Sequence, residues 1–396
     1  MLHLLGLALV CLTAAPPPGP ITLQRQGEIT LPSHTSGIHG RWVGPQRYIE
    51  LGRELQAPPK RRRFPVPIYL LGDVLERKVL KVPVRIPDYP AGEVLYFRED
   101  LMLLFFRASS SAGSDSNTFC LWNPQEKAEC VPKELGPYGK PEKSQLFYPI
   151  GADPTEKSFY FAMETRDTPS GPNSRSGPLS LKLLRLSLTQ PSMAIEWETE
   201  LTLPKRPQQL ELSERVFSAD GKKLALAEYH DLTDEPRYSP TPPPQVYVID
   251  LETKKTQTFP ISFTPYGLAF SRDGRYLAVG SHQTGEIVRI NLKQGKIDAR
   301  VKAEKTIKKF FPSPKGSSFL VFYSSFDGSK PLEVRRWKDL KATGKIPIPP
   351  LLPELVGPQL VGVKAPPDGR LLVFSVEEKK GAPESETQVV FEVRER

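Results

Sequence analysis

FSRDGRYLAVG, from Phe270 to Gly280, sets an apolar run directly after an Asp-Gly pair, the pattern of a tight turn feeding a strand. Nearly the same phrase returns as FSADGKKLALA at Phe217 and as APPDGRLLVFS at Ala365. SPKGSSFLVF, from Ser313, repeats it with Pro-Lys-Gly in the turn, and weaker copies occur upstream: GADPTEKSFYFA around Thr155, FREDLMLLFF at Asp100 and VGPQRYIEL at Gln46. Marked by the last turn residue, the copies stand 42 to 66 residues apart. A period of this size, with four strand-like segments in each, predicts a β-propeller.

One period can be read in full. PYGLAFS forms the innermost strand, RYLAVGS the second, and EIVRINL and KIDARVK follow across the turns HQTG and KQG. Runs such as LMLLFF, FYFAM and FLVF are apolar at consecutive positions, as expected of strands covered on both faces by neighbouring blades; a strand with one wet face would alternate. Seven markers predict a single all-β, seven-bladed propeller over residues 16–396, with blades near 33–90, 91–140, 141–204, 205–262, 263–303, 304–350 and 351–396. The last blade lacks its outermost strand, which ITLQRQGEITLP, Ile21 to Pro32, is expected to supply. Closure of this kind removes sheet edges that would otherwise invite pairing with other chains.

The chain carries 54 Lys and Arg against 45 Asp and Glu, a net charge of +9 spread along its length apart from Lys60-Arg61-Arg62-Arg63. That run reads as a solvated loop, and no nucleic-acid partner is expected. Its 43 prolines favour loops over long helices. The apolar run Leu4 to Leu12, followed by small residues and a proline cluster, resembles a secretory signal peptide over residues 1–15. No later segment is long and apolar enough to span a membrane. An extracytoplasmic, monomeric protein is therefore expected. Cys120 and Cys130 flank the turn Asn123-Pro124-Gln125-Glu126 at equal distance from its centre, and in an exported protein they are expected to form a disulfide between the outer two strands of the second blade.

VYVIDLETKKTQTFPISFTPYGLAFSRDGRYLAVGSHQTGEIVRINLKQGKI, together with its neighbours over about Phe217 to Ile297, resembles the YVTN-type and WD-like repeats of bacterial seven-bladed propellers, including the lactonase-like group. The Gly-His and Trp-Asp pairs of true WD repeats are missing: His39-Gly40 is in reversed order, and Trp337 is followed by Lys338.

Motifs for chemistry are sparse. The five histidines show no zinc spacing; phosphate-binding glycine loops and the GxSxG elbow are lacking. The Asp-Gly pairs at Asp220, Asp273 and Asp368 read as turn formers, not metal ligands. No catalytic residue, metal or cofactor is assigned. Function on a propeller usually sits in loops at one end, and the loops between second and third strands are long and polar, notably Leu51 to Pro67, Glu164 to Pro178 and Glu228 to Pro244. EYHDLTDEPRYSPTPPP gathers Glu228, His230, Asp231, Asp234 and Glu235, and SHQTGE brings His282 in the next blade. Tyr229, His230, Asp234, Arg237 and His282 are the expected contacts for a protein or small-molecule ligand on this long-loop face, with Tyr238, Tyr323 and Phe326 as further aromatic candidates. The expected role is an exported, non-catalytic binding platform. Alternatives are a propeller hydrolase of lactonase-like type and an intracellular assembly scaffold.

Overall fold

The structure, a computed structural model, describes residues 21–32, 40–43, 47–56, 66–73, 76–83, 93–98, 101–109, 115–123, 133–134, 145–166, 178–189, 195–201, 211–229, 243–303, 306–323, 330–352, 359–377 and 385–396. These form an all-β propeller of four-stranded antiparallel sheets. In chain order, the first blade holds β2 (Gly40–Val43), β3 (Arg47–Gln56), β4 (Val66–Asp73) and β5 (Lys78–Pro83). Next come β6 (Glu93–Arg98), β7 (Leu101–Ser109), β8 (Asp115–Trp122) and the two-residue β9 (Lys133–Glu134). The third blade is β10 (Gln145–Ala152), β11 (Ser158–Arg166), β12 (Pro178–Ser187) and β13 (Ile195–Leu201), and the fourth is β14 (Glu211–Phe217), β15 (Lys223–Tyr229), β16 (Gln245–Asp250) and β17 (Thr256–Pro260). Then follow β18 (Pro265–Phe270), β19 (Tyr276–Ser281), β20 (Glu286–Asn291) and β21 (Lys296–Lys302), and after them β22 (Ile307–Pro312), β23 (Ser318–Tyr323), β24 (Leu332–Arg336) and β25 (Ala342–Ile346).

The remaining sheet has the order β1-β28-β27-β26, with β26 (Gln359–Lys364), β27 (Leu371–Glu377) and β28 (Ser385–Glu395) joined by β1 (Ile21–Pro32) from the other end of the chain. The expectation of seven blades is corrected to six, with the two chain ends joined in a further sheet in which β1 pairs with β28 as the sequence predicts. Six blades are each a contiguous stretch of chain, and the remaining sheet is a composite of both ends. Its outer strand β1 also approaches β3 and β4, so the composite sheet bridges the first and last parts of the sequence.

The recurring phrase builds one structural device. Ser218 Oγ donates to Asp220 Oδ1 at 2.6 Å and accepts from Lys223 N at 2.9 Å. One blade on, Ser271 repeats this with Asp273 at 2.7 Å and Tyr276 N at 2.9 Å. Gly221, Gly274, Gly316 and Gly369 all take φ between 64° and 81°, the left-handed conformation that glycine adopts without a Cβ penalty. Asp220 and Asp273 are therefore occupied in shaping turns. In the third blade the left-handed position belongs to Glu156 (φ 57°), not to Thr155, with Asp153 Oδ1 accepting from Thr155 N at 2.7 Å.

Packing follows the position of each strand in its blade. Every residue of β23 is buried, as are all but the last of β16, whereas the outermost strands β17 and β25 are largely exposed and β21 is exposed or half-buried throughout. The apolar clusters lie between blades. Tyr160, Ala162, Leu181 and Leu183 of one pack with Leu224, Leu226, Tyr247 and Ile249 of the next. Phe311, Leu320 and Phe322 join Leu372, Phe374, Val389 and Phe391 across another boundary. Each fully buried side chain of this size contributes roughly 1.5–3 kcal/mol, so the ring is held by its seams as much as by its sheets.

Candidate functional site: the channel and the loop face

The second-to-third-strand loops start further out than the sequence suggested, because the strands continue into them. β3 and β4 pair as far as Gln56 with Val66, within the expected Leu51 to Pro67 loop. Glu164 is paired with Leu146 and Leu181, and Glu228 with Leu212. Glu228 is fully buried. Its Oε2 accepts from Gln245 N at 2.7 Å and its Oε1 from the Tyr247 hydroxyl at 2.5 Å. This carboxylate ties the end of β15 to the start of β16. Glu164, likewise buried, accepts from the Tyr148 hydroxyl at 2.8 Å.

Of the expected contacts, His282 is half-buried at the end of β19, with its ring stacked on Tyr266 at 4.6 Å and 27°. Its Nδ1 is buried and makes no hydrogen bond within the described residues. Tyr229 is the last residue of β15, paired with Glu211. His230, Asp234, Arg237, Tyr238 and Phe326 lie outside the described residues, as do Cys130, the Lys60 to Arg63 run and the first twenty residues. Tyr323 is buried rather than presented to solvent, and its hydroxyl donates to Glu333 at 3.0 Å. Burial first, and then the Glu333 charge, push this phenol well above its usual range. Cys120 is buried and disulfide-bonded.

A second feature was not expected. The innermost strands bear a recurrent bulge, with register shifts between Val94 and Tyr96, Pro149 and Gly151, Leu212 and Glu214, Pro265 and Gly267, Ile307 and Lys309, and Leu360 and Gly362. Bulges re-aim side chains, and all of these but the one in β6 lie in strands that line a cavity of about 440 Å³, namely β10, β14, β18, β22 and β26. Its polar lining includes Glu214, Arg215, Lys309 and Lys364; Val216, Phe217, Leu268, Phe270, Phe310 and Phe311 supply apolar walls. Phe217, Phe270 and Pro312 directly precede the turn residues Ser218, Ser271 and Ser313, so the cavity occupies the turn-side half of the channel. The long loops stand at the other end of the strands.

Electrostatics at this cavity are unusual. Burial pushes the Glu214 carboxyl up to about 7, against the opposing pull of Lys309 and Arg215. Burial, and then the neighbouring Lys309 charge, lower the Lys308 ammonium below its usual value. The sequence did carry a signal: ELSERVF and TIKKFF place charge pairs in innermost strands where PYGLAF has none. Among the described residues no group of three or more His, Cys, Asp and Glu could hold a metal ion, and no helix is long and apolar enough to cross a membrane.

No family model matches the chain, and no curated protein matches it. Among solved structures, one chain of a "Crystal Structure of Mitotic Checkpoint Complex" matches at a TM-score of 0.51 and 12% identity, covering 99% of this chain and 98% of that one. The likeness extends over the whole ring and is one of β-propeller fold.

Proposed function

We propose that the protein is an exported, monomeric, non-catalytic binding platform, akin to bacterial YVTN-type propellers, that engages a protein or small-molecule ligand through its long-loop face. The supporting observation is the Glu228 clasp. By tying Gln245 and Tyr247 to the end of β15, it anchors a proline-rich loop on a rigid sheet, the arrangement by which scaffolds present recognition surfaces. Proline also lowers the ordering entropy lost on binding. Tyr229, His230, Asp234 and Arg237 from this loop, with His282 from the adjoining blade, are the proposed contacts, and Cys130 is the proposed disulfide partner of Cys120.

The reading is tested by recovering the full chain from an envelope fraction and identifying retained proteins and small molecules by mass spectrometry. Affinity and melting temperature are then measured together for His230→Ala, Asp234→Ala and a variant shortened over Ser239 to Pro244. Weakened affinity with unchanged melting supports the loop face. Unchanged affinity in all three variants removes it.

A further inference from the structure

We propose that the turn-side half of the channel is a second binding site, separate from the loop face, for a small organic anion with an apolar body. Three observations converge on this chemistry. The cavity, at about 440 Å³, falls in the range that encloses small ligands. Among the described residues, its charged lining holds Lys309, Lys364 and Arg215 with one carboxylate, Glu214. The charge is also placed by the fold rather than scattered on a surface. Lys309 and Glu214 both follow the register shifts of their innermost strands, and the equivalent position of the strand between them is Gly267.

That glycine has a physical reason. A Cβ there would meet Ile307 at 3.3 Å and Phe310 at 3.5 Å, so the glycine leaves β18 closely packed on β22, beside the Lys309 backbone. Lys309, Lys364 and Glu214 are partly buried, and Arg215 is exposed. Ammonium groups beside phenylalanine rings, in space with reduced access to water, gain from an anion more than surface lysines do, because the local dielectric is lower. A carboxylate or phosphate would meet Lys309 and Lys364 while its apolar part contacts Phe217, Phe270 and Phe310.

The test uses the full-length protein, titrated by calorimetry with phenyl phosphate, benzoate and the neutral benzamide. Saturable binding of at least one anion is expected, with benzamide at least tenfold weaker and the anion affinity falling as salt is raised. Lys309→Gln and Lys364→Gln should each weaken the anion at least tenfold with unchanged melting temperature, and Lys309→Arg should restore most of the affinity. Should either Gln variant lose stability, the salt dependence and the benzamide comparison on the unaltered protein still decide. Benzamide binding as tightly as the anions, or no saturable binding by any probe, would mean a solvent-filled channel only and would overturn the proposal. Variants at His230 and Asp234 should leave the probe affinity unchanged; a loss there would move the anion to the loop face.

Discussion

The side-chain oxygens of Thr30 and Thr387 lie 2.7 Å apart, although 357 residues separate them in sequence. They sit in a strand pair that runs from Ile21 opposite Glu395 to Pro32 opposite Ser385. Ile21 and Ile29 are buried in the same arrangement. A chain beginning at Ser33 would leave β28 as a naked edge beside an opened apolar seam. Its melting temperature should fall by roughly 5–10 °C, with a matching loss of soluble yield. An unchanged thermal transition would show that the terminal strand does not secure the ring.

Gly369 and Gly295 both have left-handed backbones, with φ of 68° and 64°, but their surroundings differ. A Cβ on Gly369 would come within 1.8 Å of the Pro312 carbonyl oxygen, whereas one on Gly295 would meet nothing within 4 Å. Gly295→Ala should therefore cost about 1 kcal/mol, the conformational penalty alone. Gly369→Ala should cost at least ~3 kcal/mol, since the obstacle is backbone. Urea unfolding of the two variants measures the difference, and equal losses would contradict the close approach of the two blades.

Glu214 links stability to pH. Its folded carboxyl titrates near 7, against an ordinary value of 4.5, so the native state retains a proton that the unfolded chain has already released. Stability falls as pH rises from about 4.5 to 7 and stays lowered above that. Glu214→Gln should match the parent protein in its pH profile below 4.5 and gain on it progressively up to pH 7, by roughly 3 kcal/mol at most. Parallel denaturation curves at pH 4, 6 and 8 check this. A constant offset across the range would mean that the carboxyl titrates normally.

Cys120 is buried in β8 against a short outer strand of two residues. A bridge to Cys130 closes a short loop, for which chain-entropy estimates give roughly 2–3 kcal/mol. Reduction should raise the intact mass by two hydrogens per chain and lower the melting temperature, and peptide mapping should recover Cys120 joined to Cys130. Recovery of Cys120 joined to Cys11, or of two free thiols, would remove the pairing.

The blade period was legible because its signal is local. Ser-x-Asp-Gly makes its turn with its own hydrogen bonds, at Ser218 and Asp220 as at Ser271 and Asp273, and a local device survives wherever it is copied. The turn of the third blade was misplaced by one residue because Glu156 takes the left-handed conformation without being glycine. The role of Glu228 was not legible, since its partners Gln245 and Tyr247 are brought within its reach only by the register of β15 and β16. The channel residues were harder still. Whether Lys309 or Lys308 turns inward depends on the bulge after Ile307, and a bulge leaves no residue type that announces it.

The buried Glu228 carboxylate holds two points of the chain 17 residues apart, and Gln245 Nε2 adds a bond to the Pro243 carbonyl at 2.8 Å. A laboratory library can therefore randomise the segment between them, so long as Glu228, Pro243, Gln245 and Tyr247 are left alone. Held in this way, the blade is a socket between whose clasped ends recognition sequences can be grafted.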